Sequence, residues 1–236
     1  MNRLSRFIIP VLLLLSVSAL SASASDGHMR IGIRIGHFAP QDWLIQGPAE
    51  TPSRPYSWQW YGGSMGFGGG IDFGLQAGYY FPRWGLRLGL GARSLTKEAK
   101  LRGMMWELWD YDGRLKIYSI EMVLIHRLAD QNSSFAPYIG VGPGLYFADW
   151  EQKMTREMAP DLEPSVRKAS STPIGINFMV GLEYALMGNV FLNGELVYEY
   201  AESDWELEIS DSDRSLELRD LNIGGTSLRL GLGYEF

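Results

Sequence analysis

Eight charged residues recur at positions where acids and bases could act together. They are Asp72, Arg87, Arg93, Glu121, Glu183, Glu195, Glu199 and Arg229. Paired carboxylates can do general acid and base chemistry, whereas carboxylates beside arginines usually form ion pairs that neutralise each other. Because acids and arginines occur together in this set, we interpret it as a network of ion pairs and predict no catalytic residue.

Histidine chemistry is restricted to His28, His37 and His126, and the chain has no cysteine. The lack of cysteine excludes disulfides, thiol nucleophiles and thiolate metal sites. Acyl-transfer and protease chemistry needs a histidine beside a serine or an acid. His37 is the only histidine near the end of a predicted strand where such chemistry could occur. The alternation of that strand, described below, places His37 on the face opposite Arg30 and Arg34. We therefore predict a protein that is not an enzyme and has no cofactor or bound metal, with an enzyme that uses His37 as the alternative.

The charged residues lie in stretches where apolar and polar side chains alternate, which is the pattern of β-strands. In the first stretch, Ile31 and Ile33 share one face while Arg30 and Arg34 share the other. The same alternation recurs in residues 71–81, 86–93, 118–124, 139–147, 174–184, 192–200 and 227–236. The pattern predicts an all-β chain of about eight strands. A ten-stranded variant, with Asp112–Gly113 as one extra hairpin turn, stays open.

The connections between these strands alternate between short and long. Three are tight, at residues 82–85, 130–134 and 186–189. Four are long and polar, at residues 40–65, 99–113, 150–170 and 202–221. Short turns at one end and long loops at the other are typical of outer-membrane β-barrels.

The composition of the two strand faces distinguishes a membrane barrel from a soluble sandwich. Each stretch sets an aliphatic face against glycine, arginine, acids or asparagine, and no stretch provides the large apolar interior set of a sandwich. Backbone groups in lipid must all be paired, so we predict a closed antiparallel transmembrane β-barrel. A barrel of about eight strands has an interior that side chains fill, so the eight charged residues should plug the lumen and an open pore is disfavoured.

Aromatic residues near the strand ends predict two interfacial girdles. The expected members near the tight turns are Tyr79, Phe81, Trp84, Phe135, Tyr138, Tyr184, Phe191, Tyr234 and Phe236. Those expected near the long loops are Phe38, Trp43, Phe147, Trp150, Tyr198 and Tyr200.

Residues 1–24 have the features of a cleaved signal peptide. Arg3 and Arg6 precede an apolar run, and Ala22-Ser23-Ala24 provides a small-x-small cleavage site. We assign residues 25–236 to one barrel domain of the bacterial outer membrane. The chain carries a net charge of −6, and cleavage removes two arginines and no acids, so nucleic acid is not an expected partner.

Three motifs resemble known outer-membrane families. Residues 229–236, RLGLGYEF, resemble the C-terminal assembly signal of outer-membrane proteins, with Arg229, Gly231, Tyr234 and Phe236 at its key positions. Residues 118–125, YSIEMVLI, and 137–144, PYIGVGPG, resemble the "YLEIPLLL" and "PYxGxGxG" strands of the PorT-type and OmpA-like eight-stranded barrels, with Met122 where proline is usual. The resemblance implies recognition by the barrel-assembly machinery and a scaffold more than an activity.

The favoured function is accordingly structural or surface-interacting, with the long connections as recognition elements for a ligand that the sequence leaves unidentified. A narrow channel or small-ligand carrier is one alternative, and a lipid A-modifying barrel enzyme that uses His37 is the other. Outer-membrane lipid and lipopolysaccharide are the expected surroundings. The connection at 202–221 is strongly acidic, and Trp205, Leu207 and Ile209 alternate with its acids, so its hairpin could extend above the membrane and take divalent cations. A merely solvated loop is the favoured account of that acidity.

Overall fold

The computed structural model describes residues 27–40, 69–102, 108–129, 133–156, 165–209 and 215–236. The proposed signal peptide and Trp43 lie outside these residues, so their assignments stay predictions. In the described residues no helix is long and apolar enough to cross a membrane. Eleven β-strands make up this part of the chain.

The strands contain nearly all of the eight predicted alternating stretches, and several strands extend well beyond them. The strands are β1 His28–Pro40, β2 Gly70–Tyr80, β3 Trp84–Arg102, β4 Leu108–Arg127, β5 Phe135–Arg156, β6 Ser165–Ser171, β7 Ile174–Met187, β8 Val190–Tyr200, β9 Glu202–Ile209, β10 Ser215–Asn222 and β11 Gly225–Glu235.

The eleven segments form eight barrel strands, because three barrel strands are interrupted for one or two residues. β6 and β7 pair in turn with β5 in one register, from Ala148↔Ser171 to Leu145↔Ile174. One barrel strand consists of β8 and β9, and the next consists of β10 and β11. These two barrel strands pair with each other as a long hairpin. The barrel closes where β1 pairs antiparallel with β11. The predicted closed antiparallel barrel of eight strands is therefore confirmed.

The two ends of the barrel differ in their connections. At one end, here called the turn end, β2 and β3 are joined by residues 81–83, and β7 and β8 by Gly188–Asn189, where Gly188 takes a positive φ of 55°. At the other, the hairpin end, several strands continue as paired hairpins. The predicted loops at 99–113, 150–170 and 202–221 are wrong in extent, since most of these residues belong to strands.

The ten-stranded variant is also wrong. Asp112 and Gly113 lie inside β4 and pair with Glu98 and Lys97 of β3, so no extra turn forms there. Ladder pairing continues past both residues as far as Leu108. An Asp-Gly dipeptide favours a hairpin turn locally, but here cross-strand pairing on both sides of β4 outweighs that preference.

The outer face of the barrel is an aliphatic and aromatic belt. Its exposed side chains include Ile33, Leu75, Leu90, Val180 and Leu230. Such a surface is unfavourable in water and suits the hydrocarbon core of a bilayer. Most predicted girdle residues that are described lie on this face, but four predicted members are wrong. Phe38, Tyr138, Trp150 and Phe191 are buried inside the barrel, because their strand parity places them on the inner face.

The inner face holds apolar side chains as well as charges, contrary to the expectation of no large apolar interior set. One cluster lies toward the hairpin end and consists of Phe38, Leu95, Leu115, Ile117, Tyr146, Ala148, Trp150, Ala169, Ala201 and Ile223. A second consists of Tyr80, Val123, Ile125, Tyr138, Met179 and Val197. The charged residues are therefore packed among apolar side chains, in a medium of low polarity.

Candidate functional site in the barrel lumen

Six buried charged residues meet in the middle of the lumen and form what we call the central cluster. Its members are Arg34, Asp72, Arg93, Glu121, Glu199 and Arg229, contributed by β1, β2, β3, β4, β8 and β11. Each occupies the inner face of its strand because it alternates with lipid-facing apolar residues. The cluster thus joins strands on opposite sides of the barrel.

Glu121 and Glu199 accept most of the contacts in the central cluster. Glu121 accepts hydrogen bonds from Arg34 Nη2 at 2.9 Å and from Ser119 Oγ at 3.0 Å, and its Oε2 lies 3.3 Å from Arg229 Nη1. Glu199 pairs with Arg93 and accepts a hydrogen bond from Arg229 Nη2 at 2.5 Å. Each carboxylate therefore has more than one cationic neighbour.

Above the central cluster, toward the hairpin end, the charges abut the first apolar cluster. The guanidinium carbon of Arg93 lies 4.6 Å from the ring centroid of Phe38, a cation–π contact. Tyr146 belongs to the apolar cluster and donates a hydrogen bond to Asn177 Oδ1 at 2.5 Å. The charged and apolar parts of the interior are consequently in direct contact.

A second group, the Glu195 cluster, surrounds one ion pair between Arg87 and Glu195. Tyr138 donates its hydroxyl hydrogen to Glu195 Oε1 at 2.5 Å, and Asn193 Nδ2 donates to the same oxygen at 2.8 Å. Arg87 Nη2 also donates to Glu195 Oε2 at 3.2 Å. The carboxylate oxygens are thus occupied by donors from three strands and are not placed to remove a proton from a substrate.

A third group, the turn-end cluster, joins Arg30, Arg127, Glu183 and Glu235. Arg30 donates to Glu183 Oε2 at 2.6 Å and to Glu235 Oε2 at 2.7 Å, and Arg127 also pairs with Glu183. The guanidinium of Arg30 lies 4.7 Å from the ring centroid of Tyr80. This cluster spans the lumen where it approaches the short turns.

Each cluster contains as many arginines as carboxylates. The central cluster has three of each, the Glu195 cluster one of each and the turn-end cluster two of each. A buried charge without a partner costs several kcal/mol, so matched numbers let the charges remain in an interior of low polarity.

The structure separates the predicted charged residues into three groups. Asp72, Arg93, Glu121, Glu199 and Arg229 come together in the central cluster. Arg87 and Glu195 form their own pair, and Glu183 contacts Arg30 and Arg127 rather than any predicted arginine.

Sequence reasoning omitted four charged members: Arg30, Arg34, Arg127 and Glu235. Arg30 and Arg34 occupy the polar face of the first alternating stretch and Glu235 that of the last, so extending the parity argument to both ends would have found them. Tyr138 and Asn193 were also missed, because a hydrogen bond to Glu195 depends on strands distant in sequence.

The three histidines lie in different surroundings. His37 faces outward, and its cross-strand partners are Ile71 and Leu228, neither of which can polarise an imidazole. His126 packs against Trp84 on the outer face, with ring centroids 4.3 Å apart. His28 lies 3.7 Å from Glu235 at the turn end. In the described ranges no group of three His, Asp or Glu residues could hold a metal ion.

The proposed assembly-signal residues lie on both faces of β11 and directly after its last residue. Arg229 and Gly231 point into the barrel, whereas Tyr234 and Phe236 are exposed on the outer face. The two outer rings contact each other edge to face at a centroid distance of 5.0 Å. Phe236 also donates its backbone N–H to the carbonyl of Met29 at 2.9 Å, which extends the closing seam between β11 and β1.

The family described as "Outer membrane protein beta-barrel domain" matches residues 7–236 of the chain. A major outer membrane protein of Thermus thermophilus has a similar structure, at 14% identity and a TM-score of 0.51, covering 88% of this chain and 99% of that one. Neisserial surface protein A of Neisseria aligns at 16% identity and a TM-score of 0.49, covering 88% and 97%.

The protein Ail of Yersinia pestis, solved with the heparin analogue sucrose octasulfate, aligns at 17% identity and a TM-score of 0.45, covering 89% of this chain and 99% of that one. At 14% identity, the likeness to the Thermus thermophilus protein shows a shared fold only. No curated protein matches the chain.

Proposed function

Because the chain belongs to the outer membrane protein beta-barrel domain family, and so to the bacterial outer membrane, we propose that it is a non-conducting barrel with a structural or surface-interaction role. In this proposal the lumen is plugged by its own side chains. The extended hairpins present the contact surface outside the cell, since long connections of such barrels face outward. Export through the signal peptide and insertion by the barrel-assembly machinery are part of the proposal.

The observation that carries the proposal is the stack of charge-balanced clusters across an eight-stranded lumen. An eight-stranded barrel is only wide enough for side chains to fill its interior. Arg229 and Glu121 come from opposite sides of the barrel and lie within ion-pairing distance. The apolar cluster beside them adds a layer that binds neither water nor ions well.

Conductance distinguishes this proposal from the narrow-channel alternative. The full mature barrel is refolded into vesicles and fused with planar bilayers, and insertion is verified on the same vesicles by the mobility difference between unheated and boiled samples on SDS gels. We expect no discrete conductance steps. Steps that disappear or change size in Arg87→Gln or Arg93→Gln would assign conduction to the lumen and overturn the proposal.

The enzyme alternative has its own test. Expression of the protein in a host with known lipid A should leave the lipid A mass unchanged. The placement of His37 between Ile71 and Leu228 supports that expectation. A mass change that His37→Ala abolishes would replace the structural role with a catalytic one.

A further inference from the structure

On the outer face of strands β4, β5 and β6, the side chains change from apolar to charged over two residues toward the hairpin end. Tyr118 and Phe147 are cross-strand partners and are both exposed on the belt. The next outward pair toward the hairpin end is Lys116 and Asp149, and the pair after that is Arg114 and Glu151. On β6, Ser170 pairs with Asp149 and Lys168 with Glu151.

The five charged residues and Ser170 line a cavity of about 450 Å³ on the outside of the barrel. Its lining comprises Arg114, Lys116, Asp149, Trp150, Glu151, Lys168, Ala169 and Ser170. Trp150 and Ala169 have their side chains buried on the inner face, so they contribute to the floor, while the charged side chains are exposed around it. The volume is within the range of about 300–1,000 Å³ of small-ligand sites.

The height of the cavity above the belt can be estimated from strand geometry. Two residues advance a strand by about 7 Å, and barrel strands tilt by about 40°, so Lys116 lies roughly 5 Å and Arg114 roughly 10 Å above Tyr118. The polar headgroup region of a bilayer extends about 5–8 Å beyond the hydrocarbon core on each side. With Tyr118 at the edge of the hydrocarbon core, Lys116 therefore lies at the level of the lipid headgroups, and Arg114 and Lys168 lie just above them.

The charges of the cavity favour a phosphate group in direct contact with the cations over a polyanion held by long-range attraction. Arg114, Lys116 and Lys168 bring three positive charges, and Asp149 and Glu151 bring two negative ones. The net charge of the cavity is therefore only about +1, so it attracts a distant anion weakly. Most of the binding free energy of an anionic ligand would come from direct hydrogen bonds with the cations. Exposed ion pairs contribute at most about 1 kcal/mol, so a phosphate can replace a carboxylate as the partner of a cation.

We propose that this cavity binds the phosphorylated headgroup of an outer-leaflet lipid whose acyl chains lie against the belt beneath it. The continuity of Tyr118 and Phe147 with the charged positions above them argues for a lipid rather than a soluble anion, since one molecule can contact both surfaces. This inference rests on the outward orientation of the hairpin end in the proposed function, and it is independent of whether the lumen conducts.

Binding is tested with diphosphorylated lipid A and the full mature barrel refolded in detergent, using native mass spectrometry to measure the fraction of barrels that retain lipid. We expect Lys116→Gln to weaken binding about tenfold and Arg114→Gln/Lys116→Gln/Lys168→Gln to abolish it, because hydrogen bonds between charged groups are lost. The matched control is Lys153→Gln, since Lys153 is an exposed lysine of β5 that does not line the cavity. It should bind like the wild type, and all variants should retain the gel mobility shift of a folded barrel.

Three outcomes would overturn the proposal. The first is equal retention of lipid A by the wild type and the triple variant. The second is equal retention of lipid A and of the same lipid without its phosphates, which would assign binding to the belt alone. The third is binding of inorganic pyrophosphate as tightly as lipid A, which would make the cavity a site for a soluble anion.

Discussion

Arg229 donates a hydrogen bond from Nε to Asp72 Oδ2 at 2.8 Å, although strand β1 runs between the strands that carry them. The β1 residue that pairs with both is Gly36. A Cβ atom at Gly36 would lie 2.9 Å from Arg229 Cγ and 2.5 Å from the Leu228 carbonyl oxygen. The absence of a side chain there lets Arg229 cross β1 and reach Asp72.

Gly36→Ala should therefore destabilise the barrel by about 1–3 kcal/mol, since the added methyl group displaces Arg229 or the neighbouring backbone. The measurement is the free energy of unfolding in urea from lipid vesicles, followed by tryptophan fluorescence. Gly194→Ala is the control, because a Cβ there would meet only Leu230 Cδ2 at 3.7 Å. Equal stability of the two variants would contradict this account of Gly36.

Removing the charge of Glu199 should have a larger effect. Glu199 is fully buried and contacts both Arg93 and Arg229, so Glu199→Gln leaves the central cluster with one unmatched positive charge. Breaking a buried ion pair in this way costs about 3–5 kcal/mol. The unfolding free energy in urea measures the loss.

The double variant Glu199→Gln/Arg93→Gln tests whether charge balance is the reason. It restores equal numbers of arginines and carboxylates in the central cluster, so its loss of stability should be smaller than the sum of the two single losses. Strictly additive losses would show that the two residues act independently.

Two tryptophans should differ in their contact with lipid. Trp84 is 49% exposed on the outer face, whereas Trp150 is 3% exposed and points inward. In variants that retain one of these tryptophans and have phenylalanine at the other tryptophan positions, lipids brominated along their acyl chains should quench Trp84 strongly and Trp150 weakly. Similar quenching of both would place Trp150 on the outer face and contradict its position inside the barrel.

Phe236 should matter for assembly. Its ring packs against Tyr234 on the outer face, and its backbone N–H bonds to Met29 at the closing seam. We expect Phe236→Ala to lower the amount of heat-modifiable barrel in isolated outer membranes several-fold. Leu232→Ala, which shortens another exposed side chain of β11, should have a smaller effect. Equal amounts for Phe236→Ala and the wild type would remove Phe236 from the proposed signal.

Much of the inner face could be predicted because strand parity is a local property. A residue such as Glu121, between Ile120 and Met122, must face away from its neighbours along an extended strand, whatever the rest of the chain does. Parity also indicates the inner positions of Phe38 and Trp150. Their nearness to the long loops predicted a girdle position, but a girdle residue must also lie on the outer face, and these two do not.

The alternation of the sequence by itself determined the all-β class, the approximate strand number and the face of each charged residue, since these depend only on the order of side chains along extended backbone. Which carboxylate meets which arginine was decided by the tertiary structure. Glu183 contacts Arg30 across 153 residues, and Arg229 contacts Asp72 across 157. Such partners depend on the closure and stagger of the barrel, because these bring together strands that no local pattern relates.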